Sequence, residues 1–505
     1  MPNDERKPFL METPLPGHCL LNAPLTSITK AKLMLRVGPL VAGLGSALAG
    51  YVGAQTFTTL HTFTPFSACS PYVNSDGANP NTLASSGSVL YGATEDGGSG
   101  GNGLVFRINM NGTGFAVLHN FMPSDCTPQS CTNADGTNPQ ALLVSASTLC
   151  GAAERGGSSG NGTVFKLRID GTAFTILDDP NSPMTSLVLE GNMLYGVQPG
   201  GGNPGSGQVF KLDLNGTGLT VLHTFSSAYT PNSFTTPATN SDGGIPTGLI
   251  PSSGTLYGTA SFYGNSGCGT VFALNTDGTE FRILHSFVGQ TNGAIPKCLI
   301  LSGSRLYGTT GGDIEGDWGT VFALNTDGTG FITLHSFSPY AEGSPRAGLV
   351  LWGNTLYGTA SYGGSWHNGT VFALNIDGTG FRVLHSFSAS STNALGVCTN
   401  SDGGSPLAGL ILAGNTLYGA AATGGSSGNG TIYSILLQPE LTLTLSGRNA
   451  VLTWSTNFTG YALQATPNFV PPVWTTNLPA PVIVNGQFII TNAISRNQQF
   501  FRLSQ

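Results

Sequence analysis

The sequence has little charge and no basic segment. Only 9% of its 505 residues are Asp, Glu, Lys or Arg, and the formal net charge is −7. Because a nucleic-acid-binding surface needs clustered Lys and Arg, this composition excludes nucleic acid as a partner. The hydrophobic fraction of 39% is too high for a disordered chain. We therefore expect a folded protein with a sizeable core, and we expect it to be a monomer.

Long apolar segments are also scarce, and the one candidate lies near the N-terminus. Three cationic residues precede an apolar run from Val37 to Ala49, and "YVGAQ" places small residues before a cut at Gln55. This pattern predicts an N-terminal extension and signal peptide over residues 1–54. A membrane anchor is the alternative, but the run is short and rich in Gly. We expect a secreted protein, extracellular or at the cell surface, without a membrane span in the mature chain.

Cysteine is sparse, with eight residues in the whole chain. Seven remain after the predicted cut, so at least one is a thiol or pairs with another molecule. Cys126 and Cys131 in "CTPQSC" are the nearest local pair, and an exported chain can keep such a disulfide. Cys150 stands where other units have Tyr, and we interpret it as a small buried substitute.

Glycine, by contrast, is abundant, with 73 residues, and much of it belongs to a repeat. The phrase "GTVFALNTDGTGFITLHSF" at 319–337 recurs almost unchanged at 269–287 and 369–387. Each unit is anchored by "LYG", or "LCG" in one case, followed by "VF" or a variant. The seven anchors are Tyr91, Cys150, Tyr195, Tyr257, Tyr307, Tyr357 and Tyr418.

Each unit is predicted to form four short strands. Segments such as "AGLVLWG", "NTLYGTA", "GTVFALN" and "FRVLHSF" are rich in β-branched and aromatic residues and are bounded by turn formers. No stretch keeps a helical period. Asp-Gly or Asn-Gly between the third and fourth strands is typical of a tight hairpin.

Seven such units in series, each of about fifty residues, indicate a β-propeller. The first strand after the cut, Phe57 to Phe63, matches a fourth strand, whereas the last unit lacks one. We therefore predict that this strand completes the C-terminal sheet and closes the ring. The predicted fold is all-β, with a seven-bladed propeller of four-stranded blades over residues 55–438.

The repeated phrase "LYGTT..GG..G.GTVF.LN.DGTGF..LHSF" resembles the Gloeo/Verruco (GloVer) tandem repeat of secreted bacterial proteins. The resemblance covers roughly Gln55 to Leu437. It implies export and a propeller-like repeat, and it implies no established activity or catalytic residue.

The repeated polar residues are interpreted as structural. Six units carry a His in "LHSF" or a relative, and Asp178 takes its place in the remaining unit. A ring places these histidines too far apart to share a metal, so we interpret them as bonded between blades. The Tyr of "LYG" is predicted to be a core aromatic residue, and the Asp of "DGTG" a turn former.

Function is expected where the units differ. The loops from the second to the third strand, and the links from the fourth strand to the next sheet, are long and irregular. Both emerge on one side of the ring, which we call the variable face. The opposite face carries short turns and is predicted to be inert.

Two loops on the variable face contain candidate site residues. In "GGDIEGDWGT", Asp313, Glu315 and Asp317 precede Trp318, and alternating carboxylates could hold Ca²⁺ as a cofactor, although a solvated acidic loop is the alternative. In "YGGSWHNGT", aromatic side chains on a Gly-rich loop suit stacking on a sugar or peptide, or packing against a neighbouring loop. The candidate ligand-binding residues are Trp318, Trp366 and His367 on these two loops, and Tyr263 on the corresponding loop of an earlier unit.

A third feature recurs in the four longest links between units. The pattern Asn-x-Asp-Gly is found around Asp76, Asp135, Asp242 and Asp402. Calcium binding through side-chain and backbone oxygens is one interpretation, but we favour Asx-turns, which direct the chain to the next blade.

The tail differs from the repeat in composition. From Pro439 onward, alternating strands such as "AVLTWS" and "QQFFRLS" resemble a short fibronectin-type-III or immunoglobulin-like module. We predict a small β-sandwich domain over residues 439–505.

Two classes of function follow. The favoured one is a secreted, non-catalytic binding or structural scaffold that presents its variable face to a glycan, a protein or a cell-surface polymer. The alternative is a hydrolase or lyase acting on extracellular polysaccharide, which would need paired carboxylates or a metal with a base. Neither a sialidase-type box nor a nucleophile elbow is present, so we predict that the protein is not an enzyme.

Overall fold

The structure is a computed structural model that describes residues 55–504 in part. It omits 68–71, 127–130, 181, 203–204, 230–237, 290–291, 313–317, 339–340, 395, 468–472, 477, 485 and 494–498. The predicted signal peptide therefore lies outside the described residues. The described part of the chain forms strands and turns, and it contains no helix that could cross a membrane.

Within the described residues of the repeat region, seven four-stranded antiparallel sheets follow one another, and we number them 1 to 7. In sheets 1 to 6 the strands pair in chain order. The strands of sheets 1 to 3 are Ala78–Ser86, Val89–Asp96, Leu104–Asn109 and Ala116–Asn120; Thr137–Ser145, Thr148–Arg155, Thr163–Arg168 and Thr175–Asp178; and Ser186–Glu190, Met193–Gln198, Gln208–Asp213 and Thr220–Thr224.

The next three sheets repeat this arrangement. Their strands are Gly244–Ser252, Thr255–Phe262, Thr270–Asn275 and Arg282–Ser286; Pro296–Ser302, Arg305–Thr310, Thr320–Asn325 and Ile332–Ser336; and Val350–Trp352, Thr355–Ala360, Thr370–Asn375 and Arg382–Ser386. The all-β, propeller-like fold predicted from the sequence is confirmed at this level.

Sheet 7 joins the two ends of the repeat region. Its strands Ile411–Ala413, Thr416–Ala421 and Thr431–Leu436 are completed by Thr56–Thr62, which pairs antiparallel with the third of them. The first strand of sheet 1 contacts the first two strands of sheet 7. First strands of other neighbouring sheets also contact each other, so the first strands lie on the inner side of the arrangement.

Hydrophobic clusters join each sheet to the next. The Tyr of "LYG" is buried in such a cluster, as predicted: Tyr307, for example, packs with Leu356 and Phe372 of the following sheet. The Gly of the same motif is required by its neighbour, because a Cβ on Gly92 would lie 2.3 Å from the ring of Phe106.

The links after sheets 1 and 6 each contain a small hairpin. The first pairs Asp125–Cys126 with Cys131–Thr132 and contains the predicted disulfide between Cys126 and Cys131. The second pairs Ser391–Thr392 with Cys398–Thr399. Cys150 is fully buried, as its position in the repeat predicts.

The tail forms two further sheets around its own core. One contains Thr442–Ser446, Asn449–Ser455, Gln487–Ala493 and Val482–Val484; the other pairs Ala462–Thr466 with Phe500–Ser504. Leu452, Trp454 and Leu463 are buried between them.

This tail contacts the face that was predicted to be inert. Asn457 Nδ2 donates to the carbonyl of Trp352 at 2.7 Å, and the ring of Phe458 lies edge-on to Trp352 at 5.0 Å. Glu440 and Arg382 form an ion pair at 3.4 Å. At sheet 6 this face therefore supports the tail, through the turn after Val350–Trp352, and the sequence did not predict this contact.

Candidate functional site

The start of every first strand and the end of every second strand lie on the variable face. These two strands are antiparallel, so Pro80 pairs with Thr94, and Pro296 with Thr310. Residues near these pairs therefore lie at one end of the sheets, together with the long loops.

The repeated histidines lie at the junctions between sheets, as predicted. His61 Nε2 is 3.0 Å from Asp76 Oδ2, and its ring stacks on Phe115 of sheet 1 at 4.1 Å. His119, His223 and His385 repeat this arrangement with Asp135, Asp242 and Asp402. His335 pairs with Glu342, and His285 with Asn292.

The Asn-x-Asp-Gly links give their two polar residues different roles. Asn74, rather than Asp76, forms the turn: its Oδ1 accepts from the amides of Gly77 and Gly98, both at 2.9 Å. The Asp76 carboxylate accepts instead from His61 and from the amide and hydroxyl of Thr64. The Asn therefore holds the turn of each such link, and the Asp is left to bind the histidine.

The chemistry of these carboxylates also disfavours calcium in the links. Burial acts to raise the pKa of Asp76, but the hydrogen bonds from His61 and Thr64 outweigh it, so the pKa lies below its usual range. Asp242 and Asp402 show the same balance. Both carboxylate oxygens of Asp76 already have donors, so a cation would have to displace structural bonds. Among the described residues, no group of three or more His, Cys, Asp or Glu could hold a metal ion.

The predicted binding residues are separated by the structure. Trp366 is 47% exposed on the loop after the second strand of sheet 6, and His367 is exposed beside it with a positive φ of 60°. Tyr362, on the same loop, is 50% exposed. This loop therefore presents two aromatic rings to solvent, and sequence reasoning identified only Trp366.

The other predicted residues have different surroundings. Trp318 is half-buried and packs against the cluster between sheets 5 and 6. Tyr263 is half-buried and lies against Gly244. Asp313, Glu315 and Asp317, the predicted calcium ligands, lie outside the described residues, so that prediction stays a prediction.

An inner rim of polar side chains was not predicted. In sheets 1, 2, 4 and 5 the pairing of the first two strands is irregular just after the first strand's Pro, and such bulges re-aim a side chain. Asn81 Nδ2 donates to Pro139 O of the next sheet at 2.8 Å. We define the inner rim by the residue after this Pro in the four sheets and after the corresponding Pro345 in sheet 6: Asn81, Gln140, Thr247, Lys297 and Arg346.

Carboxylates lie beside the inner rim at sheets 1 and 2. Burial, and next the charges of Asp96 and Glu154, raise the pKa of Glu95 to about 7. Gln140 Nε2 donates to Glu154 Oε2 at 3.3 Å. Two sheets therefore place acidic groups at one section of the rim, where Glu95 can be protonated near neutral pH.

Cations gather on the rim at sheets 5 and 6. Burial, and next the charge of Arg346, lower the pKa of Lys297. A Cβ on Gly348 would lie 3.7 Å from Cys298 Cβ, so the chain next to Lys297 adjoins the chain next to Arg346. The sequence gives little signal for this pair, because Lys and Arg each occupy this position of the repeat in one unit, and the two units are separated by a full repeat length.

These observations define an all-β, propeller-like repeat protein. The chain belongs to the Gloeobacter/Verrucomicrobia repeat family, whose model matches residues 50–245 and 228–433. No curated protein matches it.

Solved structures of similar fold share little sequence with it. An oligogalacturonate lyase from Vibrio parahaemolyticus is 12% identical, with a TM-score of 0.47, over 77% of this chain and 98% of that chain. The WD40 β-propeller domain of Doa1 is 10% identical, with a TM-score of 0.44, over 76% of this chain and 97% of that chain. Likenesses of this size carry no argument about function.

Proposed function

We propose that the protein is a secreted, monomeric scaffold that binds a glycan on its variable face without catalysing a reaction. The observation that supports this proposal most directly is the exposure of Tyr362 and Trp366 on one loop of sheet 6. Large aromatic residues elsewhere in the repeats are mainly buried between sheets. Two exposed rings on a rigid support suit stacking on the apolar face of a sugar.

The fold proposed for this role is a closed seven-bladed propeller followed by an immunoglobulin-like or fibronectin-like sandwich. Sheet 7 combines the first and last strands of the repeat region, which supports closure. In such a ring the repeated His, Asn and Asp maintain the junctions, and the loops of the variable face can change without loss of the core.

The proposal is tested by screening the mature chain, Gln55 to Gln505, on a panel of neutral and acidic glycans, with and without Ca²⁺. We expect binding, and we expect Trp366→Ala and Tyr362→Ala each to weaken it by about tenfold, which corresponds to about 1.4 kcal/mol. Trp474→Ala, in the tail, is the matched control. Absence of binding to any glycan, or equal effects of all three substitutions, would reject the proposal.

A polysaccharide-cleaving enzyme is the second candidate, and the acidic section of the rim favours it. Cleavage by acid and base needs two carboxylates with different pKa values. Glu95, with its pKa raised to about 7, could donate a proton, and Glu154 of the next sheet could act as the base.

The same panel distinguishes the candidates if the release of reducing ends is measured in each well. The non-catalytic proposal expects none. Product that is abolished by Glu95→Gln and Glu154→Gln would instead establish the enzyme. Glu190→Gln, outside the rim, controls for a general effect of removing a carboxylate.

A further inference from the structure

We propose that the inner rim at sheets 5 and 6 binds the anionic group of an acidic glycan, with Lys297 and Arg346 as its ligands. This inference rests on the proposed glycan-binding function and names the substrate class. It concerns a position in the fold different from the exposed aromatic loop, although both lie on the variable face.

The two cations occupy equivalent positions in neighbouring sheets. Lys297 follows Pro296, which pairs with Thr310, and Arg346 follows Pro345, which pairs in the same way with Ala360. The sheets are in contact here: Ser344 Oγ donates to Gly311 O at 2.7 Å. Lys297 crosses the same glycine, because its Cε would lie 3.2 Å from a Cβ on Gly311. Both side chains therefore belong to one section of the rim.

Neither cation has an anionic partner in the described part of the chain. The ion pairs formed there involve other residues, and neither Lys297 Nζ nor the Arg346 guanidinium takes part in a hydrogen bond. Lys297 is half-buried, and Arg346 is exposed. A partly desolvated ammonium next to a like charge is unfavourable, and an anion placed between the two would relieve both costs.

The chemistry of the pair favours a carboxylate or a sulfate on a polar, neutral framework. Arg presents a planar fork that binds such groups through two parallel hydrogen bonds, and Lys supplies a second charge. The acidic residues Glu95 and Glu154 belong to sheets 1 and 2, and carboxylates accept hydrogen bonds from sugar hydroxyls. A rim with both kinds of group matches an acidic saccharide better than a neutral one.

The overall charge of the protein does not supply this affinity. With a formal net charge of −7, the chain as a whole repels polyanions. Binding of an acidic glycan must therefore depend on the two local cations, so removing either of them should weaken it.

The test compares the full mature chain with Lys297→Gln, Arg346→Gln and the double variant. The probes are polygalacturonate, which carries carboxylates, dextran sulfate, which carries sulfates, and neutral dextran, with affinities measured by titration calorimetry. Arg282→Gln is the matched control, because Arg282 is exposed on the outer strand of sheet 4. Melting temperatures verify that each variant is folded.

We expect binding to at least one of the acidic probes, a loss of about tenfold in affinity for each single variant and a larger loss for the double variant. The control should remain within about twofold. Which probe is bound assigns the anionic group.

Two outcomes overturn the inference and leave the proposed function in place. These are acidic-probe affinities that the Lys297 and Arg346 variants do not change, and binding to neutral glycans alone. Failure to bind any saccharide rejects both the inference and the function on which it rests.

Discussion

At the scale of single residues, six of the links use one polar side chain to fix a histidine. Five histidines have a carboxylate partner, whereas His285 has the amide of Asn292, whose Nδ2 lies 3.0 Å from the ring nitrogen. Burial lowers the pKa of His285 to about 4, so this ring is neutral through most of the acidic range.

The substitution Asn292→Asp should give this junction the same chemistry as the others. Because the unfolded chain protonates His285 below about pH 6.5 and the folded protein only near 4, the wild type loses stability as pH falls between these values. A carboxylate would favour the protonated ring and remove this loss. We expect the variant to be more stable by roughly 1 kcal/mol at pH 5, with a smaller gain at pH 8.

Urea unfolding at the two pH values measures this difference. Glu342→Gln is the matched control, since it makes the reverse change at His335 and should destabilise the protein at pH 5. A gain for Asn292→Asp that is greater at pH 8 than at pH 5 would contradict the role given to His285.

At the scale of elements, the links after sheets 1 and 6 have the same structure, so the first can be used to predict how the second would respond to a substitution. Each link forms a two-stranded hairpin before its Asn-x-Asp-Gly turn. In the first hairpin Cys126 lies opposite Cys131, and in the second Thr392 lies opposite Cys398. The second hairpin therefore has Cys at only one of the two positions that the disulfide joins in the first.

The substitution Thr392→Cys should complete a disulfide with Cys398. Directly opposite residues of an antiparallel hairpin have suitable Cβ separations, and closing a short loop stabilises a fold by about 2 kcal/mol. Mass spectrometry under oxidising conditions should show the loss of two hydrogens. Thermal unfolding should show a higher melting temperature, and a reducing agent should reverse this rise. Ser391→Cys, which lies opposite Thr399, should form no disulfide with Cys398. Equal cross-linking in both variants would show that this hairpin register is wrong.

The elements were easier to predict from the sequence than the rim. Strands and turns repeat, so a short pattern such as "DGTG" is seen many times, and its Asp forms the expected bonds: Thr329 donates to Asp327 through its amide at 2.9 Å. Lys297 and Arg346 occur once each, and their proximity depends on strand irregularities and on packing between units. The contact of Trp352 with the tail was missed for the same reason, although a Trp in that turn was a usable signal.

At the scale of the whole molecule, the two predicted domains are in contact through sheet 6. Trp352, half-buried, packs on Phe458, and Asn457 binds the same turn. Since the aromatic loop of sheet 6 lies on the opposite face, the tail leaves the proposed glycan site uncovered.

The substitution Trp352→Ala should release the tail without opening the repeats. Loss of a half-buried Trp from an interface costs about 1–3 kcal/mol, which should expose the connection between Leu436 and Thr442. Limited proteolysis should then cleave this connection faster than in the wild type. Trp366→Ala, which removes an exposed Trp from the other face, should leave the rate unchanged. Equal rates in Trp352→Ala and the wild type would mean that the tail is held by other contacts.

The central claim is that repeated residues build the molecule and unrepeated residues on the variable face bind its ligand. The most direct test is hydrogen–deuterium exchange of the mature chain with and without the glycans of the panel. Ligand should slow exchange at 78–96, 296–300, 343–347 and 361–368, and should leave it unchanged at the "DGTG" turns of 326–330 and 376–380. Protection of those turns would contradict this division between repeated and unrepeated residues. So would the absence of protection at every segment with all of the glycans.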